Sequence, residues 1–271
     1  MRRITWVLYA ARMQSTLPLF PLNTVLVPGL VMPLHIFEPR YRHMVASLLA
    51  LADEDEREFG IIGIREGRQV STDGISALYP VGCATVIRQS ETFDDGRYDI
   101  VTTGSRRFRV LSLDSSQPLL TARVEFLSDD TDPADRALAA RAARSFRDYR
   151  MVLGGQISVT TPDEGDTGSD SDSDGESDSY SDNNFGLYNG NDIDGDEDSD
   201  EDIPDDPTVL SYLITAAMVL PMDERQQLLA AASTAERLER ARELLRRECA
   251  IISAISALPS LEPLGPPPSA N

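Results

Sequence analysis

Short apolar segments separated by turn signals dominate the first half of the chain, between residues 17 and 127. Several of them are rich in β-branched residues or alternate between apolar and polar positions, which is typical of half-buried strands. Pro18 and Pro21 lack a backbone N–H, so we expect an edge or irregular strand at residues 17–22. The predicted strands are residues 17–22, 24–27, 30–37, 59–65, 82–89, 97–103, 106–113 and 119–127.

One helix and one tight turn interrupt these strands. Pro39 suits the first turn of a helix, and apolar residues then recur every three or four positions through Ala52. The triplet Asp94-Asp95-Gly96 is a strong signal for a hairpin turn. Short strands, frequent turns and a single early helix indicate a small mixed barrel or folded sheet.

The second half of the chain changes to a helical period. A helix is predicted over residues 134–153 and ends at Gly154-Gly155. A second helix, over residues 209–220, ends before Pro221. Because this second helix is apolar nearly all round, we expect it to be central in a helical bundle.

Two further helices are predicted from their capping signals. Asp223 is expected to cap the first of them, and Ser233 or Thr234 to cap the last. Glu236 is placed to complete a capping box with that serine or threonine. The remaining residues, 258–271, are rich in proline and are predicted to be disordered.

Charge is distributed unevenly. The sequence has 45 acidic and 25 basic residues and a net charge of −20, but residues 163–206 hold nineteen of the acids and no base. Residues 155–205 have too few apolar side chains to form a core, so we predict a long disordered acidic insertion. Its Asp170-x-Asp172-x-Asp174-Gly175 pattern lacks the acidic ligand of a calcium loop where Ser181 stands, so we predict no metal site.

All 25 basic residues are arginines, and the sequence has no lysine. A phosphate-binding P-loop, a Ser–Lys peptidase dyad and a pyridoxal-phosphate Schiff base each need a lysine amine. These chemistries are therefore excluded for this chain, and its sequence contains no other recognisable catalytic or cofactor motif. We expect no enzyme activity, no cofactor and no nucleotide.

Other candidates for chemistry are few. His35 and His43 lack a supporting Cys or Asp pattern for zinc. Cys83 and Cys249 lie far apart, and we expect two reduced thiols in a cytoplasmic protein. No segment is long and apolar enough to cross a bilayer, so no membrane partner is expected.

Arginine groups raise the question of nucleic-acid binding. Arg106, Arg107 and Arg109 form a small basic cluster, and five more arginines follow along the helix at residues 134–153. The chain outside the acidic insertion is nearly neutral, and the insertion would compete for any basic face. We therefore interpret the helix arginines as a solvated face and expect no nucleic-acid partner.

Several motifs occur in the order of a known family. They are residues 17–29 (LPLFPLNTVLVPG), 32–42 (MPLHIFEPRYR), 59–64 (FGIIGI), 82–87 (GCATVI), 104–110 (GSRRFRV) and the helical residues 206–248. On these motifs, residues 16–153 and 206–250 resemble the Lon N-terminal (substrate-binding) domain family. The resemblance implies an α+β fold, with a PUA-like β pseudo-barrel followed by an α-helical bundle. The acidic insertion has no recognised counterpart.

The resemblance also implies a function. Full-length Lon proteases continue into ATPase and Ser–Lys peptidase modules, and the absence of lysine indicates a free-standing bacterial member without them. Such a protein would bind polypeptide segments, or act as an adaptor in proteolysis or protein quality control with a protease or chaperone partner. The alternative is an RNA-binding or regulatory PUA-like protein. The candidate peptide-binding residues are Phe20, Pro28, His35, Phe37, Arg40 and Tyr41.

These expectations divide the chain into six parts. The N-terminal tail has either Met1 or Met13 as its translation start. The parts are the tail (1–15), the β-rich subdomain (16–130), the first bundle helix (131–154), the acidic insertion (155–205), the C-terminal helical subdomain (206–257) and the Pro-rich tail (258–271).

Overall fold

The computed structural model describes residues 14–65, 67–68, 74–129, 132–157 and 203–256. The predicted N-terminal tail up to residue 13, most of the acidic insertion with its calcium-like pattern, and the Pro-rich tail lie outside these residues. The described part of the first half contains β1 (Gln14–Leu22), β2 (Val31–Ile36), α1 (Pro39–Leu49), β3 (Glu58–Gly63), β4 (Val81–Thr92), β5 (Tyr98–Asp114) and β6 (Thr121–Phe126). The described part of the second half contains α2 (Asp135–Ile157), α3 (Pro207–Ala217), α4 (Met222–Ala230) and α5 (Thr234–Ser256).

The strands form one sheet that closes into a barrel. Their order is β2-β5-β4-β3-β1-β6, and β6 pairs again with β5. Five strands therefore close the barrel, and β2 extends the sheet beside residues 98–103 of β5. β1 and β3 are parallel, and the other pairs are antiparallel. A β barrel followed by helices confirms the predicted α+β fold.

β5 is a single strand of 17 residues, whereas the alternation predicted two strands. Its first part pairs with β2 and its last part, residues 108–114, pairs with β6. Gly104 stands between the two predicted strands, and a Cβ there would lie 2.4 Å from the Val27 carbonyl oxygen. The glycine thus permits a close backbone approach without ending the strand. Residues 24–27, predicted as a strand, form a segment without regular structure.

Residues 17–22 were predicted as an edge or irregular strand, and the structure excludes the first alternative because β1 is not an edge strand. It pairs with β6 up to Pro18 and with β3 from Leu19 onward. The Leu19 N–H donates to the Leu120 carbonyl on the β6 side. Because N–H groups alternate along a strand, the Pro21 nitrogen also faces the β6 side, and the Pro18 nitrogen faces the β3 side. Neither proline therefore removes a hydrogen bond from the sheet, because each lacks its N–H on the side where β1 has no partner strand at that position.

The barrel interior is organised around a phenylalanine. Phe108 is fully buried, and a Cβ on Gly60 or Gly82 would lie 2.8 or 2.5 Å from its ring. The two glycines therefore provide the space that the ring occupies. Gly60 and Gly82 thus allow the strands to pack closely around the ring.

The helix boundaries differ from those predicted. α2 continues through Gly154 and Gly155 to Ile157. Pro221, and not Asp223, is the N-cap residue of α4, since the aspartate already lies in the first helical turn. Because Asp223 is at the N-terminus of the helix, its charge still interacts favourably with the helix dipole.

The capping box of α5 was predicted correctly. The Glu236 N–H donates to Ser233 Oγ at 3.2 Å, and the Glu236 carboxylate accepts from the Ala232 N–H at 2.7 Å. The first contact satisfies a backbone donor of the first helical turn, and the second satisfies the N–H of the residue before the capping serine.

α3 is the central helix, as its apolar sequence predicted. It contacts α2, α4 and α5, and its residues Leu210 and Ile214 are buried in the bundle core. Tyr212 leaves that core and packs against Val25, Val27 and Val81 of the first half. α3 therefore connects the bundle with the barrel.

A buried arginine joins the two halves, and the sequence pattern had assigned it to a basic cluster. Arg107 on β5 is 1% exposed. Its guanidinium donates to the carbonyls of Leu229 and Ala231 at 2.9 and 2.6 Å and to Asp129 at 2.6 Å. Since the two carbonyls belong to the end of α4, Arg107 fixes the bundle on the barrel.

A second buried arginine reaches the same carboxylate from α5. Arg237 is 0% exposed and donates to Asp129 at 2.9 Å and to Ser211 Oγ at 2.9 Å. The Tyr212 hydroxyl donates to Asp129 at 2.7 Å, and the Arg237 guanidinium lies 4.1 Å from the tyrosine ring. Burial lowers the pKa of Arg237 and raises the pKa of Tyr212. Asp129 is therefore the shared acceptor of two buried cations.

Candidate polypeptide-binding surface

The six candidate contact residues separate into core and surface positions. Phe20 and Tyr41 are buried, with 9% and 5% exposure, and their ring centroids lie 4.1 Å apart. Burial also raises the pKa of the Tyr41 phenol. Both side chains fasten α1 to β1, so neither offers a surface to a ligand. Pro28 is half-buried in the turn before Gly29.

His35, Phe37 and Arg40 are exposed, and the structure places the first two beside a row of exposed residues on β2. Side chains alternate along this strand: Met32 and Ile36 pack in the core between the sheet and α1, whereas Val31, Pro33 and His35 face outward. Val31 is 51% exposed, and Phe37, directly after the strand, is 61% exposed. We call Val31, Pro33, His35 and Phe37 the β2 stripe.

Polar contacts hold the histidine of the β2 stripe. His35 Nδ1 lies 2.5 Å from Asp99 Oδ1, on the neighbouring strand β5. His35 Nε2 lies 3.4 Å from the Arg97 guanidinium, and the imidazole stacks on the Phe37 ring at 6.2 Å. The contacts orient the imidazole across the sheet and leave the Phe37 ring open to solvent.

An apolar groove lies beside α1, the helix that follows Phe37 in the sequence. It encloses about 550 Å³ between α1 and the loop that connects β5 with β6. Arg40 lies at this groove, paired with Glu38 at 2.8 Å and placed 4.6 Å from the Tyr41 ring. The groove is lined by Pro18, Pro39, Arg40, His43, Met44, Ser47, Leu48, Gln117, Pro118 and Leu119.

Phe37 lies between the two features in the sequence, after the end of β2 and before the first turn of α1. Sequence reasoning found Phe37, His35 and Arg40 but missed Val31 and Pro33. The alternation of the segment VMPLHI, with a proline at its third position, was the available signal.

The predicted basic cluster does not form a basic surface. Arg107 is buried, Arg106 pairs with Glu58 at 3.1 Å, and Arg109 pairs with Glu125 at 3.5 Å. Within the part of the chain that the structure describes, no group of three His, Cys, Asp or Glu residues could hold a metal ion. No helix among the described residues is long and apolar enough to cross a membrane.

Comparison with known proteins identifies the family. Residues 16–247 match the family described as ATP-dependent protease La (LON) substrate-binding domain, and the chain belongs to this family. The Lon protease of Anaeromyxobacter dehalogenans is 30% identical over 140 residues, which cover 51% of this chain and 16% of that protein. Lon protease 2 of Syntrophobacter fumaroxidans is 31% identical over 148 residues, or 53% and 18% of the two chains. The chain thus spans less than a fifth of these relatives.

Solved structures show the same fold. The Lon N-terminal domain protein from Xanthomonas campestris has a TM-score of 0.51 and 22% identity, covering 86% of this chain and 98% of its own. The N-terminal domain of the Mycobacterium avium complex Lon protease has a TM-score of 0.53 and 17% identity, with coverages of 87% and 98%. The recognised resemblance to the Lon N-terminal domain family is therefore confirmed.

Proposed function

We propose that this chain is a non-catalytic protein that binds extended polypeptide segments. The observation that carries the proposal is the exposed ring of Phe37, which follows the exposed residues of β2 in the sequence and precedes the α1 residues that line the groove. Single exposed apolar residues are common, but Val31, Pro33 and Phe37 are exposed on one short segment that leads into the helix lining an apolar groove, and such a concentration of apolar surface indicates an interaction site. The family description as a substrate-binding domain supports the same function.

The chemistry of the surface favours an apolar ligand. Two arginines at this surface are already paired, since Arg40 contacts Glu38 at 2.8 Å and Arg97 contacts Asp95 at 2.6 Å. A nucleic-acid backbone needs cations that are available for its phosphates. An extended polypeptide with apolar side chains needs instead the kind of surface that Phe37 and the groove supply.

The biological role that we propose is to deliver bound polypeptides to a protease or chaperone in the cytoplasm. The sequence contains no lysine for a P-loop or a Ser–Lys dyad, so ATP hydrolysis and peptide cleavage would belong to the partner. The first relatives named above are Lon proteases, which is consistent with a role in proteolysis.

Titration with a permanently unfolded, alkylated polypeptide tests the proposal. Binding at tens of micromolar or tighter is expected, and Phe37→Ala should weaken it at least about fivefold, as truncation of a central aromatic contact does. Met151→Ala is the matched control, because this large apolar side chain on α2 is similarly exposed, at 67%. Absence of binding, or equal losses in both variants, would contradict the proposal.

A further inference from the structure

The free edge of the sheet lies at β2. Among the described residues, β5 is the one strand that pairs with β2. Gly104 on β5 donates its N–H to the Leu30 carbonyl at 2.9 Å, which fixes the direction of every backbone group that follows. This direction alternates along the strand. The backbone N–H and C=O groups of Met32, Leu34 and Ile36 therefore point toward β5 and form the ladder with it.

Alternate backbone groups therefore point away from the sheet. They are the N–H groups of Val31 and His35 and the carbonyls of Val31, Pro33 and His35. Within the described structure, these groups make no hydrogen bond outside the ladder. Pro33 lies at an outward position, where its missing N–H costs the ladder nothing. The edge thus presents two donors and three acceptors in the spacing of an antiparallel strand.

We propose that the free edge of β2 binds the substrate polypeptide by adding it to the sheet as an antiparallel strand. This inference rests on the proposed function and names its binding mode. A segment placed beside β2 exchanges two hydrogen bonds with Val31 and two with His35 and donates one to the Pro33 carbonyl. These five hydrogen bonds involve only backbone groups, so they do not depend on the side chains of the segment.

The occupant is a separate polypeptide and not a second copy of this chain. In the symmetric pairing of two β2 strands, Val31 of one copy would face His35 of the other, and Pro33 would face Pro33. The two prolines have no N–H, so this pairing has four bonds and leaves two carbonyls without a donor at its centre. A segment with any residue other than proline opposite Pro33 supplies the fifth bond.

The β2 stripe sets the side-chain preference. Residues directly opposite each other on antiparallel strands project from the same face of the sheet. The residues opposite Val31 and Pro33 would therefore contact apolar side chains, and the residue opposite His35 would lie beside the His35–Asp99 pair. The preferred segment has apolar residues at two alternate positions and a polar residue two positions before them.

Peptides with methylated backbone nitrogens test this binding mode. The probe is a soluble nine-residue peptide that alternates valine with threonine and carries a lysine at each end. Its valines would face the β2 stripe and bond with the edge, so methylating the valine nitrogens should weaken binding at least about tenfold. Methylating the threonine nitrogens, which face away from β2, should change the affinity less than about twofold.

Amide hydrogen exchange of the full chain locates the contact. The Val31 and His35 amides should exchange quickly in the free protein and at least about tenfold more slowly with saturating peptide, whereas Met32 and Leu34 should not change. Binding that leaves Val31 and His35 unprotected overturns strand addition but not the proposed function. No binding of any peptide or unfolded polypeptide overturns both. Protection that rises with protein concentration alone would show a second copy on the edge and contradict a polypeptide occupant.

Discussion

Replacing Asp129 by asparagine should destabilise the fold strongly, because this carboxylate is shared by two buried arginines. Arg107 and Arg237 are 1% and 0% exposed, and both guanidiniums lie within 3 Å of Asp129 Oδ1. Asp129→Asn keeps the side-chain shape but removes the negative charge. Two desolvated cations then face each other without a counter-ion.

The magnitude follows from the burial of the three groups. Breaking a buried ion pair by removing one partner costs about 3–5 kcal/mol. Asp129 itself is 21% exposed, so water can partly replace the lost charge, and we expect a value near the lower limit, about 3 kcal/mol. This value corresponds to a change of roughly two orders of magnitude in the unfolding equilibrium constant.

Urea denaturation followed by circular dichroism measures the free energy of unfolding of the variant. Glu125→Gln is the matched control, because it removes a carboxylate from a solvent-exposed pair with Arg109, which should cost about 0–1 kcal/mol. An Asp129→Asn effect no larger than that of the control would refute the reasoning, since the buried network would then contribute no more than a surface pair.

Three further predictions concern packing, thiol reactivity and pH. Gly60→Ala should lower the free energy of unfolding by about 1–3 kcal/mol because its Cβ has no space, whereas Gly154→Ala, with nothing within 4 Å, should not lower it in the same denaturation assay. Burial raises the pKa of both thiols, but Cys83 is buried and Cys249 only half-buried, so a thiol reagent should label Cys249 first and reach Cys83 only on unfolding, as peptide mass mapping would show. Burial also raises the pKa of Tyr212, so stability should fall as pH rises above about 10, and less steeply in Tyr212→Phe.

Local sequence patterns predicted the helices and strands better than they predicted which strands pair. Alternation and the Asp94-Asp95-Gly96 turn identified the strands, and the capping signals around Ser233 identified the last helix. The prolines of β1 suggested an edge, yet β1 pairs with two strands in succession, and the true edge is β2. A proline shows only that one backbone donor is unused. This is the case at a sheet edge and also at the point where a strand changes from one partner strand to another.

The burial of Arg107 could not be predicted from the alternation of apolar and polar residues. Arg107 occupies a polar position in an alternating strand, and such a position normally faces solvent. Here the outer face of the barrel is covered by the end of α4, more than a hundred residues later in the sequence. No local signal identifies Asp129 as its partner. The candidate surface was partly predictable, since exposed Phe37 and His35 belong to a recognisable motif, but the burial of Phe20 and Tyr41 required the tertiary structure.

The most direct test of polypeptide binding is a map of amide chemical shifts in the full chain during titration with an unfolded, alkylated polypeptide. We expect the largest changes to fall in residues 31–40, which include the β2 stripe and the start of the α1 groove. The helices α3 to α5 should show little change. Shifts confined to those helices, or no shifts at a saturating concentration, would contradict the proposed surface.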